Sequence, residues 1–162
     1  MIHQLQCSVL DTYASIIAHQ VNCMGVMGSG VAAQVKRRFP DAYAQYTEYC
    51  VEHRHNRIAM LGQVQFCPVK RFPDGTPQVY VANLFAQYNY GRKNALYTDY
   101  EALKQCLTTL ADFASENNYT IAIPYRIGCD RGGGDWNGHV YPMIQTALAN
   151  CEVLICHLPQ NE

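Results

Sequence analysis

The sequence predicts a three-layer α/β/α domain built on a central mixed sheet. Three observations carry that reading. β-rich runs alternate with segments of helical apolar period, a Pro-Asp-Gly turn joins two β-rich runs in mid-chain, and the chain is one domain long. At 162 residues it forms a single domain over its whole length, 1–162, and a chain of this size buries roughly two-thirds of its unfolded surface in one core. Hydrophobic residues make up 49% and charged residues 15%, a balance that excludes a disordered chain.

The elements follow in order. Residues 15–21 form a β-rich run that ends at Asn22 and Cys23 and enters a loop with Gly25, Gly28 and Gly30. Over 31–39 the apolar residues Val31, Ala32, Val35 and Phe39 recur at three- and four-residue steps, which predicts a helix stopped by Pro40. A second helix is expected over 41–53. Residues 62–69 and 78–85 are β-rich and flank a Pro-Asp-Gly turn, so they read as antiparallel neighbours. Tyr100, Leu103, Leu107, Leu110 and Phe113 repeat as one face of a long helix over 98–117, with Thr98 as its cap. A buried strand over 120–124, a helix over 136–148 and a last strand over 153–157 complete the series.

The net charge is −1 and the basic residues are scattered in short clusters such as Lys36, Arg37 and Arg38. No continuous basic face exists to displace phosphate counterions, so binding to bulk nucleic acid is not expected. The first residues lack the basic and apolar regions of a signal peptide, and no apolar run reaches membrane-spanning length. A soluble, cytoplasmic protein with no membrane partner is therefore expected. Most of the eight cysteines, including Cys7, Cys23, Cys67, Cys106, Cys151 and Cys156, sit in apolar segments where a reduced thiol acts as a small hydrophobe. No Cys-x2-Cys pair or histidine spacing points to a metal site, and no cofactor is implied.

Two glycine-rich loops, each joining a strand to a helix, carry the functional signal. The first, 19–32, places Gly25, Gly28, Ser29 and Gly30 before a helix start, where unpaired amides favour an anion. It reads either as a phosphate cradle or as a tight turn needing glycine. It is neither a P-loop nor a Gly-x-Gly-x-x-Gly fingerprint. In the second, 124–136, Gly132, Gly133 and Gly134 precede Asp135 at a helix start, a second potential anion nest. Two such junctions in one small domain suggest a ligand with two linked phosphates.

The run His19-Gln20-Val21-Asn22-Cys23-Met24-Gly25-Val26-Met27-Gly28-Ser29-Gly30-Val31-Ala32 and the run from Pro124-Tyr125-Arg126-Ile127-Gly128-Cys129 to Gly134-Asp135-Trp136 resemble the two ligand loops of macrodomains. The similarity is to the Appr-1''-p processing branch that holds ADP-ribose-1''-phosphate phosphatases and terminal ADP-ribose glycohydrolase-like proteins. The resemblance implies a macrodomain fold and ADP-ribose, or an ADP-ribosyl derivative, as ligand. An ADP-ribosylated macromolecule is a further partner of that class. It places Asn22 at the distal ribose and the amides of Ser29, Gly30 and Val31 at the diphosphate, with Gln20, Gly25, Met27 and Gly28 in the same loop. Arg126, Ile127, Gly128, Cys129, Asp130, Arg131, Gly132, Gly133 and Gly134 close over the ligand from the other side.

Two departures from the family pattern stand out. Cys7-Ser8 occupies the place where many macrodomains carry a Gly-Asp that holds the adenine amino group. Gln87 occupies the place of the lysine with which the glycohydrolase branch attacks the sugar, and Lys93 lies too far along to replace it. A lysine-adduct route is disfavoured.

A hydrolase would remove a group from the distal ribose as a phosphatase, deacetylase or mono-ADP-ribosyl hydrolase, and needs an activated water. Asp135 is the first candidate, as catalytic carboxylate or as plain helix cap. His19, three residues before Asn22, is the second, as acid/base group or as buried hydrogen-bonded residue. Asp130 is a third, and Arg131 a phosphate clamp or a solvated charge. Cys129 lacks the Cys-x5-Arg of a phosphatase loop. Tyr88, Tyr90 or Tyr97 could stack on the ligand or be ordinary surface aromatics. The alternative function is a non-catalytic reader or sequestering module for ADP-ribose.

Overall fold

The computed structural model describes residues 1–159. Six strands form one sheet in the order β1-β6-β5-β2-β4-β3. They are β1 (Ile2–Gln6), β2 (Ile16–Asn22), β3 (Val64–Arg71), β4 (Pro77–Gln87), β5 (Ile121–Pro124) and β6 (Val153–His157). All neighbours run parallel except the β3–β4 hairpin at one edge. The helices are α1 (Gly30–Arg38), α2 (Pro40–Glu52), α3 (Tyr100–Asn117) and α4 (Tyr141–Ala147). The three-layer α/β/α architecture expected from the element order is the one observed.

β2 shows why the layers form. Its side chains alternate across the sheet, so Ile16 and Ala18 enter one core with Leu103, Leu107, Leu110 and Ile144. Ile17 and Val21 enter the other core, with Val35, Phe39 and Tyr46. α1 and α2 therefore cover one face, and α3 and α4 the other.

Several boundaries differ from the expectation for physical reasons. β1, Ile-His-Gln-Leu-Gln, was not marked by any run of apolar residues. It is a half-buried edge strand held by pairing with β6. The cap of α3 is Asp99, whose carboxylate accepts from the Ala102 amide at 2.9 Å. Thr98 is used elsewhere. The helix expected over 136–148 begins as a π-helical turn, Trp136–Val140, before α4 takes over. The turn before β4 matches its chemistry: Gly75 has φ +89° and Asp74 accepts from the Thr76 amide and hydroxyl.

β2 leads into α1 on one face, whereas the neighbouring β5 leads through the second glycine loop into α4 on the other. Two adjacent parallel strands whose connections leave in opposite directions open a crevice at their carboxyl ends, the usual ligand position of an open α/β sheet. Among the described residues no helix is long and apolar enough to cross a membrane. All eight cysteines are free, and no group of His, Cys, Asp and Glu among the described residues could hold a metal ion.

Candidate active site

A cavity of about 280 Å³ occupies that crevice. Its walls are the first loop with the start of α1, the second loop, and the Tyr90–Arg92 part of the segment between β4 and α3. Its floor is the carboxyl end of β2 with Gln87 of β4. Gln20, Asn22, Gly28, Ser29, Gly30, Val31, Gln87, Arg126, Ile127, Gly128, Asp130, Arg131 and Gly132 all line it.

Asn22 organises the first loop. Its Nδ2 donates to the Val26 carbonyl at 2.7 Å, and its Oδ1 accepts from the amides of Met24 and Val26. The buried Tyr46 hydroxyl donates to the Asn22 carbonyl at 2.7 Å and reaches its Oδ1 at 3.0 Å. Asn22 is thus clamped, 7% exposed, at the edge of the cavity. Gly25 (φ +83°) and the buried Met27 shape the loop from outside the lining. The loop then enters α1, whose cap residue Ser29 makes no side-chain hydrogen bond. The first-turn amides have no intrahelical acceptor, and Gly30, Val31 and Ala32, which carry them, line the cavity.

The second loop turns sharply at Arg126, which has φ +63°. Arg126 Nε donates to Asp130 Oδ1 at 3.1 Å and its Nη2 to the Cys129 carbonyl at 3.3 Å. Arg92 and Arg131 line the same mouth with no ion pair among the described residues. The rim is therefore net positive, which suits an anion.

The glycine run has a packing role that its sequence does not reveal. Tyr97 and Thr98 donate their amides to the Gly132 carbonyl at 2.8 and 3.0 Å, so the 88–98 segment and the second loop are tied together. A Cβ on Gly132 would collide with Thr98 Oγ1 and the Gly128 carbonyl, and one on Gly133 with the Ala95 carbonyl. Gly133 and Gly134 do not line the cavity.

The candidate acid/base groups separate. Asp135 caps the π-helical turn: its Oδ1 accepts from the Gly138 amide at 3.0 Å, and its Oδ2 lies 3.5 Å from His139 Nδ1. The Gly138 amide, with His139, holds its carboxyl below the usual range. Asp135 is outside the cavity lining. Cys129 is buried and outside the lining as well, its thiol pushed up to about 11 chiefly by burial. Asp130 is the carboxylate that the cavity does expose, with its side chain 75% accessible.

His19 sits at the floor, 1% exposed. A directional chain sets its tautomer. Gln65 donates Nε2 to the Gln45 carbonyl at 3.1 Å, and so turns its Oε1 to Asn83 Nδ2 at 3.1 Å. Asn83 Oδ1 must then accept from His19 Nε2–H at 2.6 Å. Nδ1 carries the lone pair and has no partner among the described residues. Burial lowers the His19 pKa to about 4, against the hydrogen bond to Asn83, so the ring is neutral near pH 7.

Sequence reasoning gave no individual site role to Tyr46, Thr98 or Tyr125. Tyr125 lines the cavity and stacks on His157 with centroids 4.0 Å apart. Their roles come from contacts between segments far apart in the chain, which no local pattern reports.

This fold and cleft define an α/β domain with a net positive crevice at the carboxyl ends of its parallel strands. The chain belongs to the Macro domain family, whose profile matches residues 18–140. Over 83 residues it is 39% identical to the ADP-ribose 1''-phosphate phosphatase of Debaryomyces hansenii, covering 49% of this chain and 46% of that protein. Over 155 residues it is 29% identical to the DNA ADP-ribosyl glycohydrolase of Thermus aquaticus, covering 94% of this chain and 39% of that protein. The chain thus matches less than half the length of either relative. Among solved structures it resembles the macrodomain of Thermus aquaticus DarG, with a TM-score of 0.75, 27% identity and 99% coverage of both chains.

Proposed function

We propose that the protein binds ADP-ribose or a derivative in the cleft between the two loops and hydrolyses a group carried on the distal ribose. The observation that carries the reading is the α1 N-terminus, uncapped by Ser29, facing the second loop across one cavity with Arg92 and Arg131 at its mouth. Donors and positive charge on both sides suit a diphosphate, and the floor beyond suits a sugar. The similarity to a phosphatase and a glycohydrolase of ADP-ribose derivatives supports the same class of substrate.

In this proposal Asp130 is the general base. Its carboxylate takes a proton from the attacking water as that water's oxygen bonds to the phosphorus, acyl carbon or anomeric carbon. Arg131 neutralises the charge that develops on the departing oxygen. Neutral His19 holds the sugar or the water from the floor through Nδ1. Asp135 supports the second loop as a cap.

The test is incubation with ADP-ribose-1''-phosphate, O-acetyl-ADP-ribose, and ADP-ribosylated protein and DNA, alongside calorimetric binding of ADP-ribose. At least one substrate should turn over, and Asp130→Asn should lower kcat by about 100-fold while changing ADP-ribose affinity less than about threefold. An unchanged kcat in that variant removes Asp130 from the mechanism.

A second reading, a non-catalytic binder, is favoured by one observation. Gln87 stands where the family's lysine is expected, and both ends of its side chain are engaged, Oε1 by Gln20 and Nε2 by the Asn89 carbonyl, each at 2.8 Å. Tight ADP-ribose binding with no turnover of any of the four substrates would select it.

A further inference from the structure

Arg126 occupies a backbone position that suits other residues better. The Ile127 amide donates to the Pro124 carbonyl at 3.1 Å, which makes 124–127 a β-turn with Arg126 at its third position. Its φ there is +63°, in the left-handed region that glycine and asparagine enter at least cost. Among the described residues the one other non-glycine with positive φ is Asn118, the C-cap of α3. The turn alone does not account for an arginine, so the reason for it lies in the side chain.

That side chain is committed to its own loop. Nε donates to Asp130 Oδ1 at 3.1 Å and Nη2 to the Cys129 carbonyl at 3.3 Å. Two donors of one planar guanidinium on two loop atoms fix its plane, and through it the Asp130 carboxylate. The Asp130 side chain is otherwise largely in solvent, where nothing else restricts its rotamers. Its Oδ1 is held, while Oδ2 makes no hydrogen bond among the described residues and is left to accept a proton from water. An ion pair this exposed adds little to stability, so what it supplies is orientation. Arg92 and Arg131, unpaired at the same mouth, are the cations left for phosphate.

We infer that Arg126 is a positioning residue of the proposed hydrolysis: its guanidinium holds the Asp130 carboxylate so that Oδ2 meets the attacking water, and it does not clamp the ligand's phosphates. The inference rests on the reading of Asp130 as general base above. In that step an O–H bond of the water breaks, the proton passes to Oδ2, and the water oxygen bonds to the reacting atom as the departing group leaves with its electron pair. Arg126 makes and breaks no covalent bond in it.

A double-mutant cycle on the full chain tests it, read as turnover of the four substrates above and as calorimetric binding of ADP-ribose. Arg126→Asn suits the turn and removes the guanidinium. It should melt no lower than wild type, lower kcat about tenfold and change ADP-ribose affinity less than about threefold. In an Asp130→Asn background the same substitution should lower kcat by less than about twofold, because a residue that acts through Asp130 has nothing left to position. A further loss of about tenfold in that background overturns the inference, since Arg126 would then act apart from Asp130. So does a loss of ADP-ribose affinity as large as the loss of kcat, which would make Arg126 a phosphate clamp. A clear fall in melting temperature would make it a structural tie and overturns the inference as well. Should Arg126→Asn fail to fold, Arg126→Gly, also suited to a positive φ, takes its place under the same criteria. An unchanged kcat in Asp130→Asn, or no turnover by wild type, brings down the reading of the base and this inference with it. A slow Asp130→Asn beside an Arg126→Asn that works at the wild-type rate brings down the positioning role alone.

Discussion

His19 illustrates how one buried side chain couples the site to stability. Its pKa falls from 6.5 to about 4 because burial disfavours the imidazolium. Between those values the unfolded chain binds a proton that the folded one does not, so stability rises with pH in that window. The contribution is fully present above about pH 6.5 and is lost as pH falls through about 4, amounting to about 3 kcal/mol at 1.36 kcal/mol per pKa unit. Melting temperature should therefore drop as the buffer is taken from pH 7 to 4.5. In His19→Gln, which keeps a donor for Asn83 and cannot be protonated, that drop should be markedly smaller. Equal acid sensitivity in both proteins would show that the His19 ring does not stay neutral in the fold.

At the scale of the elements, the second loop and the 88–98 segment behave as one unit. They share two amide bonds to the Gly132 carbonyl and the bond from Thr98 Oγ1 to Gly128. Gly132→Ala drives a Cβ into Thr98 Oγ1 and the Gly128 carbonyl. It should destabilise the protein by about 1–3 kcal/mol, the usual cost of overpacking. Hydrogen exchange should speed up at Tyr97 and Thr98, whereas normal protection there would mean that the two segments are not joined through Gly132. The β2-loop-α1 junction was legible in the sequence because a buried strand, a glycine loop and a helical period succeed one another within about twenty residues. β1 was not legible, because an edge strand with half-buried polar residues has little apolar signature. The π-helical turn at 136–140 was hidden as well, since its apolar spacing over so few residues matches that of an ordinary helix. The place of Asp135 in the chain fits a catalytic carboxylate and a helix cap alike, and only the structure shows the bond that its Oδ1 accepts from the Gly138 amide.

At the scale of the whole molecule, function follows from where the sheet reverses its connections. β5 and β2 are parallel neighbours whose following helices lie on opposite faces, so the crevice is a consequence of topology and the loops only furnish it. Much of the site was readable from the two loops. The coupling between them was not, because it runs through Gln20, Gln87 and Thr98, which lie on three separate segments. In the proposed ADP-ribose complex the adenine end is the least conventional part. Ser8, at the place of the expected acid, accepts from the Leu10 amide at 3.2 Å, and the nearby Asp11 is held by Arg38 at 2.7 Å. Affinity should therefore depend more on the diphosphate and terminal sugar than on the base.

In the proposed complex ADP-ribose lies between the α1 N-terminus and the second loop, and titration of ADP-ribose into uniformly 15N-labelled protein, read at backbone amides, locates it. Shifts should concentrate at Gly30, Val31 and Ala32 on one side and at Gly128 to Gly132 on the other, with Asp135 to His139 moving little. Shifts confined to other surfaces, or none at millimolar ligand, would contradict it.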